Sequence, residues 1–92
     1  TSKYYQTPEI KVKVTDENKF LVVDKIKKYC QDKQYNIIDI DGVRVTFDDS
    51  WALVRASNTG PNLTVRFEAK TEERLNNIQN EFMEKINEFK NI

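Results

Sequence analysis

The chain has 92 residues, enough for one domain with a modest core and too few for two. Its 15 basic and 15 acidic side chains cancel, which removes the electrostatic case for nucleic acid or an anionic membrane as a partner. No apolar run approaches the ~20 residues that a membrane helix needs, and hydrophobic and charged shares of 38% and 33% suit a soluble globular domain.

Residues 1–8 read as a connector, because they precede the first periodic segment and end at Pro8, which restricts the backbone before it. A hinge is expected near Thr7-Pro8, with residues 9–92 moving behind it as one folded unit. Ile10, Val12 and Val14 alternate with Lys11 and Lys13, the period of a strand with one buried face. Thr15 or Asp16 is expected to cap the following helix, with Glu17 in its first turn near the positive end of the dipole. Val22, Val23, Ile26, Tyr29 and Cys30 then recur at helical spacing and form one apolar stripe that ends near Lys33. Residues 36–40 predict a short strand, and Asp41-Gly42 predicts a two-residue hairpin into a strand over 43–47. Asp48-Asp49-Ser50 makes the next turn. Residues 51–54 are apolar at every position, as in the middle of a sheet, and residues 63–67 alternate again. Thr71 caps a last helix whose first turn carries Glu72 and Glu73, with Leu75, Ile78, Phe82, Ile86 and Phe89 facing inward. The expected fold is α+β, in the order β-α-β-β-β-β-α, a mostly antiparallel sheet with both helices on one face.

Between the last two strands lies Arg55-Ala56-Ser57-Asn58-Thr59-Gly60-Pro61, made almost entirely of anion-binding parts. Arg55 offers a planar fork that matches two phosphate oxygens. Ser57 and Thr59 offer hydroxyl donors, and Asn58 an amide. Gly60 can take a positive φ, which would let backbone N–H groups turn inward into an anion-binding concavity. The run has no carboxylate, Cys or His to serve as acid, base or nucleophile, so it reads as a phosphate holder with no catalytic residue. The plain alternative is a polar hairpin turn, since Ser, Asn, Gly and Pro are all turn formers. Asp39, Asp41, Asp48 and Asp49 fit no hard-cation spacing and are explained by turns. Cys30, in a chain without histidine, reads as a small buried apolar residue and cannot form an intrachain disulfide, which suits a reducing cytoplasm. Trp51 reads as core or partly covered sheet. The chain opens on Thr1 rather than Met, as a segment of something longer would.

The run at 55–59, entered from Asp41-Gly42-Val43-Arg44-Val45 and Trp51-Ala52-Leu53-Val54, resembles the C-terminal (fourth) domain of the alpha-D-phosphohexomutases. The likeness is strongest to the bacterial phosphomannomutase/phosphoglucomutase branch. It continues through Leu63-Thr64-Val65-Arg66-Phe67-Glu68-Ala69 and Thr71-Glu72-Glu73-Arg74-Leu75, and includes Thr7-Pro8-Glu9-Ile10. Gly60 departs from the pattern, standing where relatives often carry Thr or Glu. The resemblance implies a TATA-binding-protein-like fold, which says nothing about DNA binding. It implies that Arg55, Ser57, Asn58 and Thr59 bind a substrate phosphate. It further implies a parent enzyme that interconverts 1-phospho and 6-phospho hexoses (mannose or glucose) through a bisphosphorylated intermediate. The reactive phosphoserine and the magnesium ion (Mg2+) would belong to other domains of the parent chain, leaving this fragment without cofactor or activity. Its partners would be the phosphosugar and those domains, with no nucleic acid and no membrane.

The competing reading is a small nucleic-acid or protein-binding module with an RNA-recognition-like sheet. Such sheets stack bases on exposed aromatics. Here the open face is expected to carry Arg44, Thr46, Thr64 and Arg66, with no aromatic among them.

Overall fold

The computed structural model describes residues 4–91. The chain runs β1 (Tyr5–Gln6), β2 (Ile10–Lys13), α1 (Lys19–Asp32), β3 (Asn36–Ile38), β4 (Val43–Thr46), β5 (Ser50–Ala56), β6 (Asn62–Ala69) and α2 (Glu72–Lys90). The expected α+β order holds, with β1 added at the start. All strand pairs are antiparallel. The sheet order is β1-β6-β5-β4-β3, and β2 also lies along β6, beyond β1.

Both helices cover one face, as the apolar stripes require. Val22, Ile26 and Cys30 of α1 and Ile78, Phe82 and Ile86 of α2 meet Val43, Val45, Ala52, Val54, Leu63, Val65 and Phe67 in one cluster. Phe82 sits at its aromatic centre, with ring centroids 6.2 Å from Tyr29, 6.5 Å from Tyr35 and 6.4 Å from Phe67. The hydroxyls of Tyr29 and Tyr35 both donate to one oxygen of Glu81, at 2.6 and 2.7 Å, and so tie α1 and the turn after it to α2. Cys30 is fully buried, and that burial, with the Glu81 charge, pushes its thiol up to about 12.

Thr71 caps α2 as expected, its hydroxyl accepting from the Arg74 N–H at 3.0 Å. The start of α1 differs. The helix begins at Lys19, and Thr15 and Asn18 close a reciprocal pair just before it: Thr15 N–H donates to Asn18 Oδ1 at 2.9 Å and Asn18 N–H to Thr15 Oγ1 at 3.0 Å. Glu17 therefore falls outside the first helical turn, which holds no acidic residue. The end of α1 is a Schellman turn, with Gln34 N–H on Gln31 O and Tyr35 N–H on Cys30 O, and it places Gln34 at φ 62°.

Three further expectations are revised. Part of the expected connector is a strand. Tyr5 and Gln6 lie opposite Ala69 and Glu68, and Thr7 exchanges two bonds with Phe67, giving its N–H and receiving at Oγ1. At the β3–β4 connection, Asp41 and Gly42 take positive φ (55° and 115°), as a tight turn needs, but Ile38 lies opposite Arg44. That is one residue away from the register of a two-residue loop. Because side chains alternate, the slip turns Ile37 inward and leaves Ile38 and Ile40 exposed. Finally, the open face is not free of aromatics. Trp51 and Leu53 share it with Arg44 and Arg66, and the Arg44 guanidinium lies 4.5 Å from the Trp51 ring centroid.

Candidate functional site

The β5–β6 hairpin carries residues 55–61 to one end of the sheet, and pairing sets what stands beside them. Lys11 of β2 lies opposite Thr64 of β6, and Thr64 opposite Arg55 of β5. Three polar side chains therefore form a row across the open face. Beyond Arg55 comes Gly42, which packs so close that a Cβ there would lie 2.5 Å from Arg55 Cβ and 2.7 Å from Val54 O. Only glycine fits both this contact and the φ of 115°. The 41–42 turn thus backs directly onto the arginine.

A cleft of about 240 Å³ opens above this row, lined by Arg55, Ala56, Ser57, Asn58 and Thr59 together with Glu9, Lys11, Asp41 and Thr64. All four residues singled out from the sequence are brought together here. Thr64, only 3% exposed, is the most deeply covered of the lining residues. Ser57 and Thr59 are linked through their hydroxyls at 3.4 Å, and Thr59 N–H donates to Ser57 Oγ at 3.3 Å. The loop is closed by Ser57 N–H on Asn62 O at 2.9 Å and anchored just past the end of β2 by Val14 N–H on Pro61 O at 2.8 Å. Gly60 does not take a positive φ: among the described glycines only Gly42 does. Gly60 therefore does not supply a left-handed turn, and a Cβ there would meet only the end of the Asn62 side chain at 3.1 Å.

Sequence reasoning missed four lining residues. Lys11 and Thr64 looked like solvent-side positions of alternating strands, Glu9 stood at the edge of the folded unit with no role, and Asp41 looked like a turn former. The pairing of β2, β6 and β5 gathers the first three, and the β4–β5 pairing brings in Asp41. Asp41 Oδ2 lies 3.4 Å from Arg55 Nη1, with the two side chains 72% and 45% exposed, and Glu9 lies 3.6 Å from Lys11. At that length and exposure such pairs contribute at most about 1 kcal/mol. The Asp41 contact is therefore weak enough to be exchanged for another anion that engages both prongs of the guanidinium.

A larger groove of about 690 Å³ runs between β2 and α2, past Lys11, Lys13, Met83, Glu84 and Lys90. It brings together no arginine or hydroxyl donor and is the weaker candidate. Among the described residues, no three Asp, Glu or Cys side chains converge as metal ligands, and no helix is long and apolar enough to cross a membrane.

The family model for the phosphoglucomutase/phosphomannomutase C-terminal domain matches residues 9–85. The chain belongs to this family. As such a C-terminal domain, it is 45% identical over 80 residues to a phosphomannomutase/phosphoglucomutase from Pseudomonas aeruginosa, covering 87% of this chain and 17% of that protein. It is 42% identical over 78 residues to a phosphoglucomutase from Neisseria meningitidis, covering 83% of the chain and again 17% of the relative. A crystal structure of a phosphoglucomutase/phosphomannomutase family protein from Burkholderia thailandensis superposes with a TM-score of 0.72 at 31% identity. That match spans 89% of the C-terminal domain described here and 17% of the Burkholderia chain. The domain therefore corresponds to about a sixth of the enzymes it resembles.

Proposed function

We propose that this domain holds a phosphate of a phosphosugar while a parent mutase transfers a phosphoryl group at the sugar's other end. The observation that carries the reading is the convergence of Arg55, Ser57, Asn58, Thr59 and Lys11 in one cleft at an exposed hairpin end. These groups are cations, hydroxyls and an amide, the donors a phosphate dianion needs. Among the loop's own side chains there is no nucleophile with an adjacent base, so the domain binds and does not react.

The activity proposed for the parent is interconversion of 1-phospho and 6-phospho mannose or glucose through a bisphosphorylated sugar. Its intermediate must turn round between two transfers. A clamp that reads only the phosphate accepts both orientations, and binding energy at the distant phosphate steadies the reacting end. The phosphoserine and magnesium that the chemistry calls for are assigned to other domains of the parent, in a cytoplasmic enzyme. In this proposal the domain closes over substrate as a unit. Tyr5, Gln6 and Thr7 are bonded to β6, which favours a pivot outside this pairing over one at Thr7-Pro8. The RNA-recognition alternative gains nothing from Trp51, whose ring is already stacked against Arg44.

The test is kcat/KM of the full-length enzyme for glucose 1-phosphate and mannose 1-phosphate. Removing two neutral donors in a Ser57→Ala/Thr59→Ala variant should cost about 1 kcal/mol each, a combined loss on the order of thirtyfold. An unchanged kcat/KM rejects the clamp.

A further inference from the structure

Lys19 occupies the first turn of α1, where a lysine is ordinarily solvated and is opposed by the positive end of the helix dipole. Here it is 7% exposed. Its ammonium reaches Ser57 O at 2.8 Å, Gly60 O at 3.2 Å and Asp16 Oδ1 at 3.2 Å. An ammonium has three donors, and these three acceptors match them in number. A covered charge is costly unless paired in this way. The cost here is met by two carbonyls of the very loop that carries the phosphate donors.

The two carbonyls bracket Asn58 and Thr59. Drawing both toward α1 fixes the loop at its two shoulders. It also orients what lies between. No peptide bond among the described residues is cis, so the Ser57 carbonyl and the Asn58 N–H point in opposite directions within their shared plane. With the carbonyl held by Lys19, the Asn58 N–H faces away from Lys19. A charge-assisted bond to the carbonyl polarises the whole peptide unit and makes that N–H a stronger donor.

We propose that Lys19 is the positioning residue of the anion loop: its buried ammonium holds the Ser57 and Gly60 carbonyls so that the intervening peptide and the side chains of Asn58 and Thr59 are preset for phosphate. The inference rests on the phosphate-clamp reading and adds a residue that lies outside the cleft. Lys19 does not line the cleft and acts through the loop backbone alone.

The experiment uses the full-length enzyme, with glucose 1-phosphate as probe, at a temperature where circular dichroism shows every variant fully folded. Lys19→Met keeps the length of the side chain and removes the donors. It should weaken phosphosugar binding about tenfold, a loss read in both Kd and kcat/KM. Lys19→Gln keeps two N–H donors without the charge and should fall between Lys19→Met and wild type. That graded rescue would not arise from a stem that merely fills space. Arg55→Ala is measured alongside. If Arg55→Ala binds like wild type, the clamp reading itself fails. If Arg55→Ala is weakened while Lys19→Met binds like wild type, the positioning role is overturned and the clamp stands. Should Lys19→Met not fold, Lys19→Gln decides: a wild-type Kd overturns the proposal and a several-fold weaker one supports it.

Discussion

Arg55, near the end of β5, and Arg74, in the first turn of α2 beside the start of β5, each pair with an aspartate from a turn, and they are held very differently. Arg74 donates from Nε to Asp49 at 3.2 Å and lies 4.9 Å from the Phe47 ring centroid, with its side chain 28% exposed. Asp49 is fixed in turn by Ser50 Oγ at 3.0 Å, and its carbonyl accepts from Lys70 N–H at 2.9 Å. Phe47 continues the contact inward, its ring 4.8 Å from Tyr35. Among the described residues Arg55 pairs only with Asp41, at 3.4 Å, and it stands 45% exposed in a cleft where the Ser57 and Thr59 hydroxyls meet at 3.4 Å. One end of the sheet uses its polar groups up on the fold, while the other leaves them within reach of a ligand. Beneath the second end the order is restored by Lys19 and Gly42, which brace the backbone and leave the donors free.

The largest effect expected from breaking this contrast is at the structural end. Phe82→Ala removes the ring shared by Tyr29, Tyr35 and Phe67 and should cost about 3–5 kcal/mol, enough to unfold a marginal domain in a chemical denaturation curve. Gly42→Ala joins the two regions. A Cβ pressed on Arg55 Cβ and Val54 O, at a backbone φ of 115°, should destabilise the 92-residue chain by roughly 1–3 kcal/mol. It should also raise KM in the full-length enzyme, because the strain falls on Arg55. Gln34→Gly relieves a left-handed residue far from the cleft and should raise stability by about 1 kcal/mol with KM unchanged.

The smallest effect is the pH dependence of the Asp49 pair. Burial pushes its carboxyl up, but the bond from Ser50 and the bond and charge of Arg74 outweigh that and hold it below the usual carboxylate range. A depressed folded pKa contributes stability that is present above the unfolded value, about 3.9, and lost as pH falls through the folded one. Asp49→Asn should therefore be a few tenths of a kcal/mol less stable than wild type at pH 7. That difference should close below about pH 4 in paired thermal melts.

Most of the fold was legible because its signals are local. Alternation at Ile10, Val12 and Val14, the stripes of both helices, and Thr71 followed by Glu72 and Glu73 each specify an element without help from the rest of the chain. The register of β3 was not, since Ile37, Ile38 and Ile40 offer an apolar side chain to either face. Residues 51–54, apolar throughout, hid that Trp51 and Leu53 face away from the helices. β1 is two residues without alternation and exists only because β6 extends to Ala69 to meet it. In the site, the loop residues were legible as chemistry. Lys11 and Thr64 required strand pairing, and Lys19 required a contact 38 residues along the chain.

The comparison of the two arginines is also the most direct test. Arg55→Ala and Arg74→Ala are made in the full-length enzyme for kcat/KM and in the 92-residue chain for stability. The account predicts a crossing. Arg55→Ala should lose about tenfold to more than a hundredfold in kcat/KM while its melting curve barely moves. Arg74→Ala should lower stability by about 1 kcal/mol through its lost ring contact and ion pair, with kcat/KM near wild type. Activity that survives Arg55→Ala, or losses of activity that merely follow losses of stability in both variants, would contradict it.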